Sequence, residues 1–193
     1  NSTLVATALK QETSTIPIVF VQVADPVRDA IVASLARPGA NITGFTSFEY
    51  TMGGKWLETL KDIAPAVSRV ALVHNPQDTN WPGFLHAIER VAPSFGVQLA
   101  TVGMRDAGDI ESSIDAFAQA TNGGLIVLPT PITNLHRKLI IALAARRKLP
   151  AVYPFRFFVA DGGLLSYGFD SIDPFRRAAG YVDRILKGEK PAD

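Results

Sequence analysis

The chain has no cysteine in its 193 residues, which rules out disulfides, thiolate metal ligands and a cysteine nucleophile. The compartment stays open, because an exported protein need not contain cysteine. A charge excess of one sign is also lacking. Nineteen Lys and Arg face 18 Asp and Glu, for a net charge of +1. So weak a field gathers neither nucleic acid nor an anionic membrane surface. No apolar run reaches the ~18 residues of a spanning helix. No secretory leader, solenoid repeat or low-complexity tract is visible.

Catalytic and cofactor signatures are missing as well. The three histidines, His74, His86 and His136, match no HExxH or other metal-ligand spacing. His86 and His136 fall on helical patterns, as surface or boundary residues. No GxGxxG follows a strand, and there is no GxSxG. Gly53-Gly54-Lys55 resembles the end of a P-loop, but Trp56 stands where Ser or Thr is needed and Glu49 where the first glycine belongs. No nucleophile or acid–base dyad stands at a strand end. The expectation is a protein that is not an enzyme and needs no cofactor or metal.

What is present is globular: 47% hydrophobic and 19% charged residues. The length suits one good core, or one whole lobe and part of another. Asn1 reads as the middle of a loop leading into a helix, and Lys190-Pro191-Ala192-Asp193 as a polar stretch after one. Both ends are expected to lie inside a longer protein, so the missing leader weighs little against export.

Apolar, β-branched runs alternate with helical patterns. The spacing predicts a buried strand over 16–23, with Pro17 near its start, where a missing N–H is tolerated. Asp25 as N-cap and Pro26 in the first turn predict a helix with the stripe Val27, Ile31, Val32 and Leu35, ended by Pro38-Gly39. A short strand or crossover is expected over 41–46. Helix 54–63, strand 69–74, a helix carrying Phe84, Leu85, Ile88 and Val91, and strand 97–102 follow. Asp109 is expected to cap the next helix, followed by strand 125–128, a helix through Arg147, short strands at 150–153 and 164–167, and a last helix opened by Asp173-Pro174. This alternation means βαβ units, and therefore an α/β, doubly wound fold with parallel sheets. Strands 69–74, 97–102 and 125–128 suffice for one sheet, but strand 16–23 lacks partners. Two lobes are therefore expected: 47–163 complete, and 1–46 with 164–193 partial. A partial lobe exposes sheet edges and invites self-association with a second copy.

Ligands of open parallel sheets bind outside the carboxyl ends of the strands. Four loops there carry short hydroxyl, amide or carboxylate groups at helix N-termini: Asn1–Thr3, Ala24–Pro26, Asn75–Trp81 and Pro129–Asn134. Free N–H groups and the positive dipole end favour a carboxylate there, yet the same residues are ordinary N-caps. The run Tyr153-Pro154-Phe155-Arg156-Phe157-Phe158 is expected to wall a pocket or to pack between lobes. Arg156 pairs either with a ligand carboxylate or with a structural acid. Trp81 either covers a cleft or packs on the surface. Arg146-Arg147-Lys148 complements a helix C-terminus rather than a nucleic acid.

Several strings also resemble a known family. They are Ile16-Pro17-Ile18-Val19-Phe20, Asp25-Pro26-Val27, the run from Leu35 to Gly44 (LARPGANITG), Gly53-Gly54-Lys55-Trp56-Leu57-Glu58, the run from Leu149 to Arg156 (LPAVYPFR), and Ser166-Tyr167-Gly168. In collinear order they resemble the uncharacterised substrate-binding proteins of ABC transporters related to tryptophan- and tyrosine-type binding proteins. The resemblance implies a type I periplasmic binding fold of two Rossmann-like lobes, the first incomplete here, with 42–48 and 162–168 as two of three crossings. It implies a small solute, an amino acid or similar carboxylate, held between the lobes, an ABC permease as partner, no nucleic acid, and a periplasmic or extracytoplasmic location. Carried over by position, the contacts would be Ser2, Thr3, Asp25, Asn75, Thr79, Asn80, Thr130, Thr133, and Tyr167 or Asp170. The helix N-termini at Ser2/Thr3 or Thr79/Asn80 would take the carboxylate and Asp25 or Asp170 the ammonium. Trp81, Tyr153 or Tyr167 would stack on a side chain. The Pro-rich loop at 129–131 and Trp81 depart from the amino-acid-binding relatives. The ligand-sensing domain of a transcription regulator is the alternative with the same fold.

Overall fold

The computed structural model describes residues 3–191, which form two compact units. One comprises the chain up to Tyr50 and from Asp170 onward, the other Thr51–Phe169.

The first unit contains helix α1 (Thr3–Glu12), strands β1 (Ile18–Val23) and β2 (Ile42–Thr46), and the chain's last helix, α8 (Asp173–Leu186). The strands pair in parallel, with Ile18 opposite Ile42 and Phe20 opposite Gly44. A bulge at Gln22 (φ 60°) shifts the register so that Val23 faces Thr46. Ala6, Ile18, Phe20, Val23, Ile31, Val32 and Ile42 make the core. The Asn41 carboxamide ties the approach to β1, donating to the Ile16 carbonyl at 2.6 Å. On the other side Tyr181 of α8 meets Phe45 edge-on at 5.1 Å.

The helix expected after Asp25 does not form. Asp25 (φ 39°) and Ala30 (φ 53°) lie in the left-handed region. One turn closes from Asp29 N–H to the Asp25 carbonyl (3.1 Å). The Pro26 carbonyl then accepts from both Ile31 (2.8 Å) and Val32 (3.1 Å), which stops propagation. Half of the expected stripe still reaches the core: Ile31 and Val32 are buried, whereas Val27 and Leu35 are exposed. Burial of two β-branched side chains decided the local path, not helix propensity.

The second unit holds a five-stranded parallel sheet in the order β4-β3-β5-β6-β7, flanked by helices. In chain order its elements are α2 (Met52–Ile63), β3 (Arg69–His74), α3 (Trp81–Val91), a 3-10 turn at Ala92–Phe95, β4 (Gln98–Gly103) and α4 (Ala107–Phe117). They continue with β5 (Gly123–Val127), α5 (Pro131–Leu135), α6 (Arg137–Arg146), β6 (Ala151–Tyr153), α7 (Arg156–Ala160) and β7 (Leu165–Ser166). Central strands β3 and β5 are buried along almost their whole length, as unbroken apolar runs in parallel sheets must be. Helix α2 buries Trp56, Leu57 and Leu60, and the Trp56 indole donates to the Tyr167 carbonyl at 2.7 Å. Gly53 lets α3 come close: a Cβ there would stand 2.8 Å from Ile88 Cγ1.

Three local expectations change. Asp106, not Asp109, caps α4. Its backbone is extended, and its side chain accepts from the Asp109 N–H at 2.9 Å. The single helix expected through Arg147 is divided at His136 into α5 and α6. The aromatic run after β6 turns into α7. Strand β7 pairs with β6, Tyr153 opposite Ser166, so residues 164–169 stay with this sheet, whereas the sequence put 164 onward with the first lobe.

Candidate functional site

The loop between β3 and α3 concentrates the site chemistry of the second unit. His74 is the last residue of β3, and only 4% of its surface is exposed. Its neighbours Val70 to Val73 are all buried, so a polar ring ends an apolar strand. Beyond it the backbone folds on its own side chains. Asn75 Oδ1 accepts from Gln77 N–H at 3.0 Å, and Asp78 Oδ1 from Asn80 N–H at 2.9 Å and Asn80 Nδ2 at 3.0 Å. These Asx turns, with Pro76, fix the loop. Asn80 sits at the cap position of α3 without bonding the helix by its side chain. Thr79 is exposed beside it.

Trp81 is the first residue of α3 rather than part of the loop. Its indole stacks on the His74 imidazole, with centroids 4.0 Å and planes 22° apart. His74 Nδ1 is buried with no hydrogen-bond partner. Burial holds the His74 pKa below its ordinary 6.5, against smaller upward pulls from the Asn75 backbone and the Asp78 charge, so the ring is neutral at pH 7. No metal-ligand spacing marks His74 in the sequence. The available signal was its position, a polar side chain at the carboxyl end of a central parallel strand.

Thr130 and Thr133, after β5, are committed elsewhere. They form a capping box at α5 with both side chains buried. Thr133 Oγ1 lies 2.7 Å from the Leu128 carbonyl and 3.0 Å from Thr130 Oγ1. Tyr153 is 1% exposed and stacks on Phe158 at 5.1 Å, so its ring belongs to the core. Burial alone drives its phenol pKa upward. Phe155, Phe157 and Phe158 continue the aromatic cluster, and Arg156 is exposed. Arg137 reaches Asp161 at 2.5 Å and lies over Phe157, filling the structural role open to Arg156. Tyr167 is bonded through its backbone to Trp56 and Tyr153, and its ring is exposed.

In the first unit Ser2 lies outside the described residues, and Thr3 is a buried opening residue of α1. Asp25 follows β1, and its Oδ1 accepts from the Arg28 N–H at 3.3 Å. Nearby Asp29 has a raised pKa, first because it is buried and then because Asp25 is charged beside it. Asp170 is exposed, and its Oδ1 accepts from the Ile172 N–H at 2.9 Å ahead of α8. Asn75 and Asn80 therefore lie in the connection between His74 at the end of β3 and Trp81 at the start of α3, while Tyr153, Thr130 and Thr133 support the framework.

A model of the family described as ABC transporter substrate binding protein matches residues 1–193. The chain belongs to that family. The chain is 25% identical over 195 residues to a tyrosine-binding protein of Clostridioides difficile, covering 100% of itself and 55% of that protein. A solved conserved domain protein from Vibrio cholerae is 29% identical with a TM-score of 0.86, over 99% of this chain and 64% of that one. An ABC domain from Streptococcus pneumonia, solved in complex with L-Trp, gives a TM-score of 0.83 at 21% identity, over 100% of this chain and 66% of its own. The chain thus spans about half the length of the curated relative it matches. The structural neighbours are type I periplasmic binding proteins, in agreement with the α/β class of parallel sheets flanked by helices.

Proposed function

We propose that the chain is the solute-binding component of an ABC importer, acting outside the cytoplasm on an amino acid with an aromatic side chain. The observation that carries this reading is the loop after β3, where Trp81 presents an indole beside Asn75, Thr79 and Asn80 at the N-terminus of an 11-residue helix. A planar side chain stacks on the indole, and the carboxylate lies at the start of α3, where the positive end of the helix dipole favours an anion. Tyr167, in the same unit, offers a second ring. The relatives support this choice of solute, one being named for tyrosine and another solved with L-Trp.

The role is binding without turnover, with a membrane permease as the receiving partner and no nucleic acid. The family match over the whole chain favours it over the sensor of a transcription regulator. The test is a thermal-shift screen of the full-length protein against aromatic, branched and acidic amino acids, sugars and small carboxylates. A ligand at a hundred times its Kd adds about 2.7 kcal/mol of stability. A shift with L-tyrosine or L-tryptophan is expected. Stabilisation by sugars alone would overturn the choice of solute.

A further inference from the structure

His74 is larger in its consequences than a packed core residue. It closes the central strand β3, buried among apolar neighbours, yet its Nδ1 has no partner. Packing alone does not account for an imidazole there, because an apolar ring would fill the space without stranding a polar atom. Its ring stacks on Trp81, at 4.0 Å and 22°. That is closer than the stacked pairs Tyr153–Phe158 at 5.1 Å and Phe157–Phe158 at 5.2 Å. The neighbouring strand makes room for the turn that follows it. At Gly103, the end of β4, a Cβ would stand 2.8 Å from Pro76 Cγ and 3.6 Å from His74 Cε1.

We infer that His74 is a positioning residue for the solute: it backs the Trp81 indole from inside the unit, so that the indole offers one fixed face to a planar side chain. This rests on reading the β3–α3 loop as the solute site, and it deepens that reading by assigning the preference for flat rings to a residue that touches no ligand. A lone indole at a helix start is free to turn about two side-chain torsions. An indole held flat on a buried ring is pre-ordered, so a matching solute spends less of its binding energy on ordering the site. A flat ring gains from this and a puckered ring of equal volume does not.

The test uses the full-length protein and two probes, L-phenylalanine and L-cyclohexylalanine, with affinities measured by calorimetry. In the parent the planar probe binds more tightly. In His74→Gln the ratio of the two affinities is expected to fall about three- to tenfold, the loss of one stacked pair. In His74→Phe, which keeps the stack and removes the stranded nitrogen, the ratio is expected to return to within about twofold of the parent. A merely structural role would weaken both probes equally and leave the ratio unmoved. An unchanged ratio in His74→Gln, or an equal loss in His74→Phe, overturns the inference. Should the parent bind neither probe, the amino-acid reading falls on its own, and Trp81 emission decides the stack. Acidification charges the imidazole, with Asp78 the nearby acid acting on it, and should quench Trp81 in the parent but not in His74→Phe. Identical emission profiles would sink the inference.

Discussion

Thr133 offers the sharpest separation of framework from ligand contact. Its hydroxyl is fully buried, reaches the Leu128 carbonyl at 2.7 Å, and accepts from the Thr130 N–H at 3.1 Å. Thr133→Val keeps the shape and removes the hydroxyl. Some of the loss is absorbed, because the Thr130 N–H also donates to the Leu128 carbonyl at 3.0 Å and Thr130 Oγ1 still accepts from the Thr133 N–H at 3.2 Å. What remains is the buried Thr130 hydroxyl, 3.0 Å from Thr133 Oγ1, which loses that partner at a cost of about 1–3 kcal/mol. Thr133→Ser is the control. It keeps the hydroxyl and loses one methyl, about 0.8 kcal/mol. Urea unfolding of the full-length protein should lower the midpoint further for Val than for Ser at an unchanged slope. Solute affinity, measured at a temperature where both variants are folded, should stay near the parent's. Equal midpoints for the two variants would refute the capping account. Parental stability with abolished binding would make the hydroxyls ligand contacts.

Three further outcomes are expected. Gly44→Ala would set a Cβ 2.2 Å from the Phe20 carbonyl, so the β1–β2 pairing must shift and about 2 kcal/mol or more should be lost in equilibrium unfolding. Because burial lowers the His74 pKa, the unfolded chain takes up a proton that the folded chain refuses. Stability should therefore be complete above pH 6.5 and decline below it, and a melting profile of His74→Phe should lack that decline. Tyr153 has the opposite shift. The folded phenol keeps its proton where the unfolded one, with an ordinary value of 10.0, releases it, so stability should drop above pH 10 and Tyr153→Phe should flatten that alkaline limb.

The elements legible in the sequence were those whose signal is local and redundant. Strands β3 and β5 announce themselves as unbroken apolar runs, and α2, α3 and α8 by stripes with Pro or Gly at their ends. Readings failed where a single backbone angle decided. Asp25 and Ala30 both take positive φ, and nothing in the string marks it at Ala30, a residue type that seldom adopts it. Two aspartates three apart made the cap of α4 ambiguous, and only the extended backbone at Asp106 resolved it. In the candidate site, short polar residues before helices were found readily, but their division into caps and exposed groups depends on burial. Thr130 and Thr133 differ from Asn75 and Asn80 in nothing a sequence displays. The His74–Trp81 stack was the least accessible, since it needs the turn through Pro76 and the side-chain gap at Gly103 together.

The first unit is interrupted along the chain. Gln22, in the bulge of β1, donates to the Ser171 carbonyl across a separation of 149 residues, and Phe45 meets Tyr181 only once α8 exists. The second unit is continuous from Thr51 to Phe169. During synthesis the two cannot mature in the order in which they are encoded. The early strands β1 and β2, backed on one side by Ala6, Ile31 and Val32, must wait for α8 on the other, while the later-encoded unit folds from local contacts and closes first. That interval, not the finished fold, is when the first unit is most open to proteolysis and mispairing, and ribosome-bound chains ending before and after residue 186 should differ sharply in protease resistance within residues 18–46.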